Sequence, residues 1–271
     1  MKILLIADLH SNWDALKAVD AAEAPFDLVI CAGDLVDWGM DPKPVLDWVR
    51  AHSHIAVRGN HEDYLLSAVE NHKRQQAGLE KPEGTYSIDP DPFGQESNFM
   101  TYTINRLTDE DKEYLRSLPS SVTFDADGYT YCLNHMWQDG KQDVVLDAMC
   151  RTNGQTTFDE IWETLAHRPE VPSPKRRIIF AHTHQCWMYM VRGGALYLNP
   201  GSISNRTVSR DTVESGADYM VIENGIVQMK HVSYPTQKLR ERIQNYGFDQ
   251  VYVDLALQMI PPEQPSVTES Y

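Results

Sequence analysis

Five short blocks of acid, histidine and asparagine, each placed directly after an apolar run, constrain this chain more than anything else in it. They are Asp8-Leu9-His10, Gly33-Asp34-Leu35-Val36-Asp37, Gly59-Asn60-His61-Glu62, Asn134-His135 and Ala181-His182-Thr183-His184. The runs before them, 2–7, 26–32, 54–57, 129–133 and 177–180, read as β-strands. Polar side chains delivered at the C-terminal ends of successive strands converge on one edge of a sheet, where open α/β folds keep their sites. A lone His-x-His carries little information. Five blocks in order, each at a strand end, carry a great deal.

The residue types point to bound metal. Residues two apart in a strand share a face, so Asp8 and His10 are expected to grip one ion from a single strand end. His182 and His184 are expected to do the same unless a loop there splits them between two ions. Asp34 is the natural bridge, because one carboxylate can offer an oxygen to each of two cations. Asn60 adds a neutral oxygen. Imidazole nitrogen mixed with carboxylate oxygen suits Mn²⁺, Fe or Zn²⁺ better than Ca²⁺, and the set lacks the thiolates of a structural zinc site.

In order and spacing the blocks resemble the calcineurin-like metallophosphoesterase superfamily, in its small bacterial phosphodiesterase and phosphatase type. The resemblance runs from Met1 to about Val232 and continues past the last histidine pair into Asn199-Pro200-Gly201-Ser202. It implies an α/β fold, a four-layer α/β/β/α sandwich of two mixed sheets flanked by helices. It also implies two divalent ions, Mn²⁺ first and Fe, Zn²⁺ or Ni²⁺ as alternatives. One would take Asp8, His10, Asp34 and His184, and the other Asp34, Asn60, His135 and His182. Two ions about 3.5–4 Å apart can lower the pKa of a shared water and clamp a phosphate, so a bridging hydroxide would attack phosphorus in line. By the same resemblance His61 is the general acid, Asp37 orients it, and Arg58 reaches the phosphate. Glu62 is read as a helix-start residue favoured by the dipole. Two positions depart from the family pattern. Ala181 stands where the family usually writes Gly, and Met136 and Trp137 follow His135 where many relatives have Gly.

The substrate implied is a small phosphodiester or nucleotide-type phosphate ester. Ser/Thr protein phosphatases share the Arg58-to-Glu62 block, but they typically continue the second block with Arg-Gly where this chain has Trp38-Gly39. A dinucleoside polyphosphate hydrolase remains open, as does a non-catalytic metal-binding scaffold like the retromer-associated relatives. Such scaffolds typically lose the catalytic histidine, which is present here as His61. Trp38, Trp137 and Tyr86 are candidates to stack on a base, although core packing is the commoner fate of a tryptophan.

Composition sets the bounds. The 24 Lys and Arg against 39 Asp and Glu leave a net charge of −15, which argues against tight binding of long nucleic acid. No apolar stretch approaches the ~20 residues that span a membrane, and the N-terminus reads as a strand, so a cytoplasmic protein is expected, monomer or homodimer. Cys31, Cys132, Cys150 and Cys186 show no Cys-x-x-Cys pairing and read as reduced thiols. A single domain is expected over 1–260, with a lid-like insertion at 78–98 and a loosely ordered tail at 261–271. Helical periodicity marks 14–23, 44–51, 61–76, 107–118, 158–167 and 238–246, with Thr108 as a cap and Asp111 three residues on. Further strands are expected at 195–198, 219–223 and 226–232, the last two joined by Asn224-Gly225. The Lys175-Arg176-Arg177 run is expected on the surface, His52 and His54 in a loop, and Arg206 and Arg210 in a solvated loop.

Overall fold

A computed structural model of the chain describes residues 1–80, 82, 95–136, 174–190, 194–204 and 216–260. The first part runs through β1 (Lys2–Ile6), α1 (Trp13–Glu23), β2 (Leu28–Cys31), α2 (Pro42–His52), β3 (Ile55–Ala56) and α3 (Asn60–Gln76). Next come α4 (Phe99–Arg106), α5 (Asp109–Ser117), β4 (Ser121–Ala126) and β5 (Tyr129–Asn134). The remainder comprises β6 (Arg176–Ile179), β7 (Cys186–Met190), β8 (Leu196–Pro200), β9 (Ala217–Glu223), β10 (Ile226–Val232), α6 (Gln237–Tyr246) and α7 (Gln250–Met259).

The strands form two mixed sheets of five, ordered β10-β9-β1-β2-β3 and β4-β5-β6-β8-β7. In the first sheet β1, β2 and β3 run parallel while β9 and β10 return antiparallel. In the second, β5, β6 and β8 are parallel, with β4 and β7 as antiparallel edges. Ile3, Leu5 and Ile30 face Tyr131, Leu133, Ile179 and Leu198 across the space between the sheets. Their neighbours Leu4, Ile6, Val29 and Cys31 point the other way, into a core shared with Ala15, Leu16 and Val19 of α1. Strands buried on both faces read as continuous apolar runs, which is why the sequence shows β1 and β2 so plainly. The expected helix at 158–167, Cys150, the tail at 261–271 and most of the 78–98 insertion lie outside the described residues.

Local chemistry explains the helix starts. The Asn12 side chain accepts from Ala15 N at 3.1 Å and opens α1. The Thr108 hydroxyl accepts from Asp111 N at 3.1 Å, and the Asp111 carboxylate accepts from Thr108 N at 3.0 Å, a reciprocal cap for α5. Asn224 and Gly225 both have positive φ, 50° and 81°, as a tight hairpin of this hand requires.

Four elements are absent from the sequence reading. One is β4, which pairs with the expected strand β5 through a turn at Asp127-Gly128, with φ of 49° and 79°, the same dipeptide signal as Asn-Gly. The edge strand β7 is unforeseen as well. In α4, Phe99 to Ile104 are all buried, so no polar face marks it as a helix. The last, α7, packs with α4 and α6 in a separate apolar cluster around Met40 and Phe248.

Arg177 corrects an expectation. It is 2% exposed, with its guanidinium 3.7 Å from the Tyr129 ring and donating to Gly225 O at 2.6 Å. It ties the second sheet to the β9–β10 turn and is not a surface residue. Cys31 and Cys132 are free thiols. Among the described residues no helix is long and apolar enough to cross a membrane.

Candidate metal centre

The site is built from loops, not from strand ends. β1 stops at Ile6 and β2 at Cys31, and the chain beyond each turns left-handed. Positive φ occurs at Asp8 (51°), His10 (42°), Asp34 (53°), Asp37 (73°), His182 (65°) and His184 (56°). Non-glycine residues avoid this region at about 1–2 kcal/mol each, and such strain gathers at functional sites. The pairing of Asp8 with His10 therefore does not come from strand alternation. It comes from two loops that continue the β1–β2 ladder: Asp8 N donates to Gly33 O, His10 N to Asp34 O and Ser11 N to Leu35 O, each at 3.0 Å.

Glu62 holds the second loop in this shape. Its carboxylate is fully buried and accepts four backbone N–H groups. Asp34 N (3.0 Å) and Gly59 N (2.7 Å) bind Oε2, while Leu35 N (2.7 Å) and Val36 N (3.2 Å) bind Oε1. Burial and the Asp34 carboxylate push its pKa up to about 7. Yet a proton on either oxygen would point at an N–H donor, so the ionised form is the one this cradle fits. The sequence reading had Glu62 as a helix-start residue. The bond it accepts from Gly59 N at the start of α3 agrees, but the larger part of its bonding reaches back across 26–28 residues.

The ligand candidates gather into two groups that share Asp34. Asp8, His10, Asp34 and His184 form one, and Asp34, His135 and His182 the other, with the ligand atoms of each group within 4.8 Å of one another. Asn60 belongs with the second: its Oδ1 is 3.0 Å from His135 Nε2 and 2.9 Å from His182 Nδ1. The loop after β6 thus splits the last histidine pair between the two groups. His10 Nδ1 lies 3.3 Å from Val36 O and His135 Nδ1 2.6 Å from Ala32 O, which aims both Nε2 atoms at the centre. The Asn199-to-Ser202 turn braces the site from below. Asn199 Nδ2 donates to Ala181 O and Thr183 Oγ1, and Ser202 Oγ donates to Asp8 O.

His61 stands beside both groups. Its Nδ1 is 2.8 Å from Asp37 Oδ2, and its Nε2 faces Asp34 Oδ2 at 3.9 Å. Burial lowers its pKa, but Asp34 and the Asp37 hydrogen bond outweigh it and push it up to about 9. Arg58 is elsewhere. Its Nε pairs with Asp63 at 2.6 Å and its Nη1 donates to Arg116 O and Leu118 O at the end of α5. The structure brings the nine other candidates together, but it does not bring Arg58 to them.

The donor set fits divalent cations. Neither buried oxygen of Asp8 receives a hydrogen bond. His10 Nε2 and His184 Nε2 sit 3.2 Å apart, a contact between nitrogens that a shared cation would satisfy. Burial raises the Asp34 pKa, but His135 and His61 bring it well below the usual carboxylate range. Burial lowers His135, while Asp34 pushes it up to about 10. The field that holds a proton on His135 is the field that would hold a cation in its place.

Comparison with known proteins agrees with this geometry. A model of the calcineurin-like phosphoesterase family matches residues 1–203. An uncharacterised protein of Methanocaldococcus jannaschii is 23% identical over 252 residues, which is 89% of this chain and 91% of that protein. Two solved structures share the fold across nearly their whole length. A metallophosphoesterase from Sphaerobacter thermophilus has 20% identity and a TM-score of 0.60, covering 94% of this chain and 98% of its own. A hypothetical protein from Pyrococcus horikoshii has 15% identity and a TM-score of 0.62, covering 97% and 99%. Since the family match takes in 203 of 271 residues, every candidate ligand included, the chain belongs to the calcineurin-like phosphoesterase family of metal-dependent phosphoester hydrolases.

Proposed function

We propose that the protein hydrolyses a small phosphodiester or nucleotide-type phosphate ester with two divalent ions, Mn²⁺ first among them. The observation that carries this reading is the pair of ligand groups sharing Asp34. Asp8, His10, Asp34 and His184 would hold one ion, and Asp34, Asn60, His135 and His182 the other. Ions bound there supply Lewis acidity, which activates water and offsets the charge of the phosphate. The chain's own contribution is position and a proton. Asp37 holds Nδ1 of His61, which leaves Nε2 facing the centre. As the bond from water oxygen to phosphorus forms and the ester P–O bond breaks, His61 Nε2 gives its proton to the departing oxygen. Arg58, engaged with Asp63 and the end of α5, is given no part in this step.

General acid catalysis is worth about 10²–10⁴-fold and matters most for poor leaving groups. His61→Asn should keep both metals and lose activity on that scale toward alkyl or nucleoside esters. Toward p-nitrophenyl esters, whose alcohol leaves unaided, the loss should be far smaller. Equal losses on both, with metals intact, would make His61 a phosphate-positioning residue instead.

A further inference from the structure

Next to His61, and outside both ligand groups, lies a half-open pocket of about 110 Å³. Four aromatic side chains wall it, Trp38, Tyr64, Phe99 and Tyr252, and Asn98 lies at its side. The Trp38 and Phe99 rings sit 5.6 Å apart at 38°, and the Tyr64 ring is 5.6 Å from the His61 ring. The wall is tied to the proton donor through one carboxylate. Asp37 Oδ2 meets His61 Nδ1, and Asp37 Oδ1 accepts from Trp38 N at 2.9 Å. Consecutive left-handed residues, with φ of 73° and 59°, set Trp38 against Phe99 from this turn. Asn98 spends its oxygen on the cap of α4, accepting from Thr101 N at 2.8 Å, and keeps its NH₂ as a donor.

We propose that this pocket receives the leaving group of the ester, and that the group it fits is a flat, uncharged six-membered ring. The inference rests on the hydrolase reading with His61 as proton donor. A donor must stand within reach of the departing oxygen, so whatever fills the space beside His61 is attached to that oxygen. At about 110 Å³ it has room for no more than a single ring, since an apolar cavity of about 150 Å³ holds one benzene, and the open side lets the ring edge or its linker extend outward. Aromatic walls favour a flat partner over a puckered one of equal bulk. With a chain charge of −15, an anionic leaving group is disfavoured. An aryl-bearing alcohol and a pyrimidine nucleoside both present such a ring.

The test uses the full chain loaded with Mn²⁺ and three diesters: methyl benzyl phosphate, methyl cyclohexylmethyl phosphate, and uridine 5′-methyl phosphate followed by release of uridine. Benzyl and cyclohexylmethyl alcohols are close in acidity and bulk but differ in flatness. The benzyl ester should be preferred by roughly three- to tenfold in kcat/KM, the scale of one aromatic contact. Tyr252→Leu should bring that ratio close to one, mainly through KM. Asn98→Asp keeps the cap oxygen and removes the NH₂ donor, so it should lower turnover of the uridine ester relative to the benzyl ester. Faster uridine than benzyl release would assign the pocket to a nucleoside, and the reverse to an aryl alcohol. Turnover with no preference for the flat ring, or a ratio unmoved in folded Tyr252→Leu, would overturn the pocket's role alone. No turnover of any of the three esters would overturn the hydrolase reading and this inference with it.

Discussion

Replacing Glu62 by Gln should unlock the loop that carries Asp34, although Glu62 touches no candidate ligand side chain through a hydrogen bond of its own. The carboxylate accepts two N–H groups on each oxygen, from Asp34, Gly59, Leu35 and Val36, in a fully buried position. Glutamine keeps the volume but has one oxygen. Whichever way its amide turns, an NH₂ faces two backbone donors, and two charge-assisted bonds are lost. Hydrogen bonds to charged groups contribute about 1.5–3 kcal/mol each, so the loss is roughly 3–6 kcal/mol. Set against the ~5–15 kcal/mol that holds a typical domain together, that is severe. Urea unfolding of the metal-free protein at pH 8 measures it directly, and metal content after Mn²⁺ loading reports on Asp34. A change under about 1 kcal/mol with both ions retained would refute the cradle argument. It would mean that Glu62 is already protonated, as burial and Asp34 favour, and that the left-handed loop stands without it.

Three further outcomes follow from the same geometry. Asp34→Asn should weaken both ions by at least about tenfold because both groups share it, whereas His184→Ala should mainly empty one; elemental analysis after Mn²⁺ loading separates them. Gly59→Ala would place a methyl on the Asp34 carboxylate, which must then move, at about 1–3 kcal/mol of stability and with lower metal occupancy. Burial raises the Asp111 pKa, but the Thr108 N–H and hydroxyl, Lys43 and Arg50 bring it below the usual value. Its stabilisation is therefore full above the unfolded pKa of about 3.9 and fades as pH falls through the lower folded value. The stability gap between wild type and Asp111→Asn should shrink below about pH 4 in urea titrations, and a gap that stays constant would contradict the sign.

Much of the fold was legible because its causes are local. Strands buried on both faces must be apolar throughout, so β1 and β2 announce themselves. Caps and tight turns need particular side chains, so Thr108 with Asp111 and Asn224 with Gly225 mark their places. Helix α4 was hidden for the opposite reason, since burial on every side erases the amphipathic pattern. The candidate ligands were legible as residue types in order, because coordination chemistry allows few substitutes for His, Asp and Asn. Tertiary structure decided how they meet. The left-handed loops at Asp8–His10, the division of His182 from His184, the reach of Glu62 across to Asp34, and the diversion of Arg58 to α5 and of Arg177 into the core all depend on contacts between distant segments. A motif states which side chains are available. Only the packing of one loop against another sets their direction, because backbone strain of a few kcal/mol is held by hydrogen bonds whose partners lie tens of residues away.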